Sequence, residues 1–384
     1  MRGRIMRFVC LPLFFIVTLT GCWDADAIEL LDYVKTFGVD YVDDQYVVYV
    51  QLPNMSTVAK KESPGPETPA KAWIASGKGR SVNEAIGQIY RSAPKKIVWG
   101  HSTVLILSER LMQRPDLASI LEDLNRFREL RYTMWIYGSS ASIPELLSVS
   151  PTFEASRLYT ILQNPMDNYK MNSIVQPLKL HDFMNDYHDK ARWAIIPALT
   201  MESEIWKAGG KTHAMQAFAG AYAFHQEQYS GFFPDAQIKG MRWLDRHTVT
   251  STLRLVEDGK TTAVLKLKKP RYKVVTKPQG ERVTFDVEVN MDATLVELHV
   301  PVTSQQIMER AQKLVAEEIR STYLAGLKSN TDLLLLSQHL YRKEPKLYNK
   351  LTNDGKTLVL TPDSLGQVKV NLDLEYLGKY KFVK

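Results

Sequence analysis

Cysteine is nearly absent: the chain of 384 residues holds two, Cys10 and Cys22. Cys10 lies in a segment that reads as a cleaved export signal and Cys22 at its end, so neither a disulfide nor a thiolate metal site can form in the mature chain. Stability must then come from core burial, which suits domains well above mini-protein size. Low-complexity tracts and internal repeats are also missing. So are H-E-x-x-H and G-x-S-x-G, the spacings used by zinc and serine hydrolases. Charge of one sign is in small excess. The formal +7 includes Arg2, Arg4 and Arg7 of the signal, leaving +4, which is compatible with an anionic membrane surface and is no argument for nucleic acid. With 45% hydrophobic and 24% charged residues, the composition is that of a folded chain of two or three domains.

What is present begins with the signal. Three arginines precede a nearly unbroken apolar run from Phe8 to Thr18, too short to span a bilayer, for which roughly 20 residues are needed. Leu19-Thr20-Gly21-Cys22 then places two small residues before a cysteine, with leucine three positions upstream, as in a bacterial lipobox. Cleavage between Gly21 and Cys22 would leave a diacylglyceryl thioether on Cys22 and an amine open to acylation. Each buried methylene contributes about 0.8 kcal/mol, so two or three acyl chains hold a protein on a membrane where one does not. The signal occupies 1–21, and a short helix is expected over 23–34.

Periodicity divides the rest. Residues 46–52 read as a strand after a turn at Asp43-Asp44, and 59–71 as an exposed, proline-rich excursion before a strand-like piece at 72–76. Ser81-Val82-Asn83-Glu84 is a capping box opening an amphipathic helix, 102–107 suits a central strand, 115–127 a helix, 130–137 a strand, and Ser142 caps another helix. This alternation predicts a mixed α/β module over 22–200, with helical connection through 150–200. From about 212 the pattern turns to β, over 215–224, 248–256, 261–276 and 283–298, with hairpin signals at Asp258-Gly259 and Gln279-Gly280. A long amphipathic helix opens at Thr303, a second spans 332–343, and an edge strand 367–377. The fold class is therefore α+β and multidomain: the α/β module, then a β-rich C-terminal domain over 201–384, open to division into sub-domains at about 201–260 and 261–384, in which an antiparallel sheet packs on the long helix.

The search for chemistry is mostly empty. Gly209-Gly210-Lys211-Thr212 ends like a P-loop but has Ile205 where the first glycine belongs, so a tight turn is expected. Gly77-Lys78-Gly79-Arg80 lacks the third glycine of a dinucleotide fingerprint and reads as a loop. His181, Asp186, His188 and Asp189 do not share one helical face at metal-ligand spacing, and read as a solvated polar helix. The basic run from Leu265 to Lys273 reads as the wet face of a strand, the alternative being contact with anionic headgroups or an acidic partner.

The order and spacing of several motifs resembles one family. Gly21-Cys22-Trp23-Asp24, a Gly38-Val39-Asp40 turn, Pro94-Lys95-Lys96-Ile97-Val98-Trp99-Gly100-His101, the segment from Ala217 to Phe224, and a helix pair with His339 to Tyr348 are similar to the Ger(x)C lipoproteins, the C subunits of spore germinant receptors. The resemblance covers nearly the whole mature chain and weakens after Leu351, where Asn353-Asp354-Gly355 interrupts the approach to the last strand. It implies a non-enzymatic, lipid-anchored subunit on the outer face of the spore inner membrane. Such a subunit has no cofactor beyond the acyl groups on Cys22, and membrane-embedded A and B subunits are its partners in nutrient-triggered germination. Trp23, Asp24, Trp99, Gly100 and His101 are the expected contact or structural positions: Gly100 for close backbone approach, Trp99 for packing, His101 for hydrogen bonding. The competing reading, a transporter's solute-binding lipoprotein, requires two similar α/β lobes.

Overall fold

The computed structural model describes residues 30–53, 73–127, 129–149, 160–300 and 302–376. Gly21, Cys22, Trp23, Asp24 and the proline-rich 59–71 lie outside the described residues.

The chain enters through β1 (Leu31–Tyr33), a strand where a helix was expected, because it finds a partner 65 residues on: it pairs in parallel with β5 (Lys96–Val98). β2 (Thr36–Val42) and β3 (Gln45–Leu52) form a hairpin over Asp43 and Asp44, both at positive φ as a two-residue turn of this kind demands. Gly38-Val39-Asp40 is therefore strand interior and not a turn. β4 (Trp73–Gly79) adds to β3 and takes in Gly77 and Gly79, which the sequence reading placed in a loop. The reason is packing: a Cβ on Gly77 would stand 2.1 Å from the Ala85 carbonyl oxygen of α1 (Val82–Ser92), so the helix lies directly on the strand. Ser81 caps α1 by accepting the Glu84 N–H at 3.1 Å, but the Glu84 carboxylate turns to the Arg80 N–H, so the capping box is half formed.

β6 (Val104–Ser108), α2 (Glu109–Met112), α3 (Leu117–Arg126), β7 (Trp135–Ser139), α4 (Ile143–Ser148), α5 (Pro165–Met171), β8 (Leu178–Lys179) and α6 (Leu180–His188) follow. Then comes β9 (Ala194–Glu202), which absorbs Ile195-Ile196-Pro197 as strand instead of connection. β2, β6, β7 and β9 are mutually parallel and mostly buried, and the fully buried β6 carries the unbroken apolar run Val104 to Leu107. A small hairpin, β10 (Lys207–Ala208) and β11 (Lys211–Thr212), turns at Gly209-Gly210, both at positive φ. β12 (Met215–His225) and β13 (Gln228–Pro234) return to the same sheet. The large sheet thus runs β13-β12-β9-β7-β6-β2-β3-β4, with β8 beside β7, and has antiparallel hairpins at both ends. It continues past residue 200 to Pro234, because β12 hydrogen-bonds to β9 along nine residue pairs.

After α7 (Asp235–Ile238) and a 3₁₀ turn (Lys239–Leu244), the second sheet runs in sequence order. β14 (Thr250–Glu257), β15 (Lys260–Gln279) and β16 (Arg282–Leu298) are antiparallel, so the 260/261 position falls inside a hairpin. β17 (Leu365–Tyr376) adds in parallel as an edge. α8 (Ser304–Lys328) is closed at its start by a full capping box of Thr303 and Gln306. It buries Ile307, Ala311, Val315, Ile319 and Tyr323 in the core it shares with this sheet. Gly240 lets the 3₁₀ turn meet α8: a Cβ there would be 2.6 Å from the Glu318 carbonyl oxygen. The Glu318 carboxylate takes Arg242 at 3.0 Å and the Trp243 indole N–H at 2.7 Å. α9 (Leu336–Lys343) and α10 (Pro345–Thr352) lie between α8 and β17 in the chain, Pro345 ending one helix and starting the next.

Candidate functional site

The expected contact residues within the described structure sit where β5 leads into β6, at the edge formed by the starts of the parallel strands. Trp99 is buried, with Phe37 and Phe127 edge-on at 5.4 and 5.6 Å. Its indole N–H donates to the Tyr90 hydroxyl at 2.7 Å and its backbone N–H to the Glu129 carboxylate at 3.0 Å. Trp99 is thus the packing anchor of the edge. Gly100 and His101 form the turn closed by the Ser102 N–H on the Trp99 carbonyl at 2.9 Å. A Cβ on Gly100 would find only ordinary contact, 3.7 Å from the Glu129 carbonyl, so the expected close backbone approach is not the reason for that glycine. His101 is exposed and meets the Tyr33 ring edge-on at 4.8 Å, its contact among the described residues.

Backbone hydrogen bonds stitch this edge into one row. The Thr103 N–H donates to the Lys35 carbonyl at 2.9 Å, Trp135 to Thr103 at 2.8 Å, and Leu180 to Met134 at 2.8 Å. Side chains along the row are cationic and aromatic. The Lys179 ammonium sits 3.2 Å from the Trp135 ring centroid, and partial burial pulls it down to about 8, against a smaller opposing pull from Asp182. Lys35 is also lowered by burial.

The opposite edge, at the strand ends, is where a doubly wound sheet opens for ligands. Here it is occupied by side chains bound to one another. Asp40 holds Arg110 at 2.6 Å, Tyr222 and Tyr229 donate to Glu109 at 3.4 and 3.0 Å, and Arg114 lies 3.7 Å from the Tyr41 ring centroid.

The polar cluster of α6 does not converge. His181 pairs with Asp182 at 3.3 Å, His188 with Glu227 at 2.8 Å, and Asp189 caps the Ala191 N–H at 2.7 Å. Asp186 faces Arg192 at 3.1 Å yet is pushed up to about 6, because burial outweighs the guanidinium. No grouping of three or more His, Cys, Asp or Glu fit for a metal occurs among the described residues. The helix is not simply solvated, for Leu180, Phe183, Met184 and Tyr187 are buried beneath it.

Sequence reasoning missed the junction between the two sheets. His225 stacks on Trp193 at 3.7 Å, and its ring nitrogens lie 3.3 Å from the Arg192 carbonyl and 2.8 Å from the Gly355 carbonyl. Gln226 donates to the Asp354 carbonyl at 3.0 Å, and the Tyr348 hydroxyl to the Lys190 carbonyl at 2.7 Å. The Asn353-Asp354-Gly355 turn is therefore a docking element that fits the β12–β13 turn. Its signal in the sequence was the interruption itself.

Comparison with known proteins gives these geometries a family. Residues 24–201 match the "Spore germination protein N-terminal domain" and residues 219–378 the "Spore germination B3/GerAC like, C-terminal" domain. The chain belongs to the Ger(x)C family of spore germination proteins. Two Bacillus subtilis relatives align nearly end to end. Spore germination protein KC is 22% identical over 89% of this chain and 88% of its own, and spore germination protein B3 is 20% identical over 88% and 89%. Putative spore germination protein YfkR, also from Bacillus subtilis, is 26% identical over 61% of this chain, an alignment spanning 59% of that relative's length. The crystal structure of the GerBC protein superposes with a TM-score of 0.56 at 15% identity, covering 89% of this chain and 97% of that one, and so shares the fold. The two family matches leave 202–218 between them, the stretch in which the large sheet continues from β9 into β12. No helix among the described residues is long and apolar enough to cross a membrane.

Proposed function

We propose that this Ger(x)C chain is a lipid-anchored, non-enzymatic subunit of a spore germinant receptor, held by acylated Cys22 on the outer face of the spore inner membrane. It acts there through contacts with membrane-embedded A and B subunits. The observation that carries the reading is the lipobox, Leu19 to Cys22, placed directly before a chain that matches the family over both domains. Confinement to two dimensions beside its partners raises effective concentration and lowers the affinity that each contact must supply. The rival reading, a solute-binding lipoprotein, is disfavoured by the unlike modules: a mixed sheet with a parallel centre and a four-stranded sheet under a long helix. The test is Cys22→Ala. The variant is expected to leave the membrane fraction and to lose nutrient-triggered germination and co-purification with membrane subunits. A soluble variant that germinates normally would overturn the proposal.

A further inference from the structure

The amino-terminal edge described above carries more than Trp99. β1 and β5 pair beside it, and the described chain begins here, at Leu30, which is 64% exposed. Eight residue steps separate Leu30 from Cys22, a reach of roughly 30 Å at full extension. Around Leu30, strand pairing and the backbone row collect, among the described residues, Lys35, Lys95, Lys96, Arg131 and Lys179 from four separate stretches of chain, with the carboxylates Asp32, Glu129 and Asp182. Two of those carboxylates are engaged locally, Glu129 by the Trp99 N–H and Asp182 by His181. Lys95, Arg131 and Lys179 have no carboxylate within ion-pair distance among the described residues. Exposed Tyr132 and half-buried Trp135 lie among them, the pairing of amphipathic rings with lysine and arginine that suits the water–lipid boundary.

We propose that this edge is a membrane-docking surface that lies against anionic lipid headgroups, Lys95, Arg131 and Lys179 facing lipid phosphates while Tyr132 and Trp135 sit at headgroup depth. The proposal rests on the lipid-anchor reading for its orientation, since Cys22 precedes Leu30 at this edge by only eight residue steps. The chemistry of the edge is independent of the acyl chains. The opposite edge, where the β10–β11 hairpin carries Lys207, Lys211 and exposed Trp206, is then turned away from the bilayer, beyond the roughly 30 Å length of β9.

The test uses the full mature chain carrying Cys22→Ala, so that no acyl group contributes. It is sedimented with vesicles of phosphatidylcholine alone or with 30% phosphatidylglycerol. Binding to the anionic vesicles is expected, weakening with salt and absent on phosphatidylcholine. With each basic group near such a surface giving about fivefold, the triple variant Lys95→Glu, Arg131→Glu, Lys179→Glu is expected to lose roughly 100-fold. Lys207→Glu with Lys211→Glu should leave binding unchanged. Equal binding to both vesicle types, no binding at all, or a loss confined to the hairpin variant would overturn the proposal. So would a triple variant that binds vesicles normally but no longer co-purifies with membrane subunits, which would make the edge a protein interface. An unacylated native terminus found by mass spectrometry would instead sink the anchor reading and leave the vesicle result standing.

Discussion

Two regions of this molecule are rich in lysine and arginine, and they differ in what stands opposite each charge. On either side of β16, cations face its carboxylates: Arg271 of β15 meets Asp292 at 3.0 Å, Lys277 of β15 pairs with Asp286, and Lys369 of β17 reaches Glu288 at 3.2 Å. Asp286 and Glu288 are held below the usual carboxylate range, first by hydrogen bonds from Lys277 and Lys369. At the amino-terminal edge, Lys179 faces the Trp135 ring, and Lys95 and Arg131 are exposed. A basic run in sequence is thus no measure of a basic surface. Cross-strand register set β16 carboxylates beside part of the conspicuous run, Asp292 opposite Lys268 and paired with Arg271, and Glu288 opposite Lys273, whereas tertiary folding assembled the inconspicuous one from scattered lysines.

Substitutions can break or sharpen that contrast. The largest effect is expected at Trp99, whose removal takes out the anchor between β5, α1 and the Phe37 and Phe127 rings. Trp99→Ala should lower unfolding free energy by about 3–5 kcal/mol, read by denaturant titration. A cost under about 1 kcal/mol would mean that the edge is not built on this residue.

A middle-sized effect belongs to Asp186, on the helix that follows Lys179. Its folded-state pKa, about 6, stands above the ordinary 3.8, so folding favours the protonated acid. The stability that this gives is fully present below about pH 4 and is lost as pH rises through about 6, a swing of about 1–3 kcal/mol. Asp186→Asn should flatten the stability profile between pH 4 and 7. A profile that keeps its slope in the variant assigns the swing to another group.

The smallest effect is expected on β15. Arg271→Ala removes a pair whose arginine is mostly exposed, so it should cost about 0–1 kcal/mol and less at high salt. A loss of vesicle binding in this variant would erase the distinction between the two basic regions.

Much of the architecture was legible where local signals agreed. The turns at Asp43-Asp44 and Asp258-Gly259, the Ser81 cap and the Thr303 capping box each combine a propensity with a hydrophobic period, and the elements follow. The misses share a cause. β1, the Gly77 to Gly79 end of β4 and Ile195 to Pro197 are strands because a distant strand or helix offers them partners. Within β15 the inward positions change parity at Lys269, where φ is +46° and the pairing with β16 slips, so Leu265 and Leu267 point inward before it and Pro270 and Thr276 after it. Simple alternation cannot carry a reading across such a bulge. As to the site, Trp99 was legible as a packing residue, but the His225–Gly355 junction joins positions 130 residues apart, each unremarkable alone.

By itself, the sequence determined the α+β class and the family, and it carries the Leu19-Thr20-Gly21-Cys22 pattern on which the anchor proposal rests, because these depend on residue order, spacing and period along the chain. Only tertiary structure decided that the large sheet takes strands from both sides of residue 200, that Asp354-Gly355 locks onto His225, and which lysines face carboxylates. Those outcomes depend on pairing between segments far apart in the chain, where a partner's register sets each neighbour, and no local pattern encodes that register.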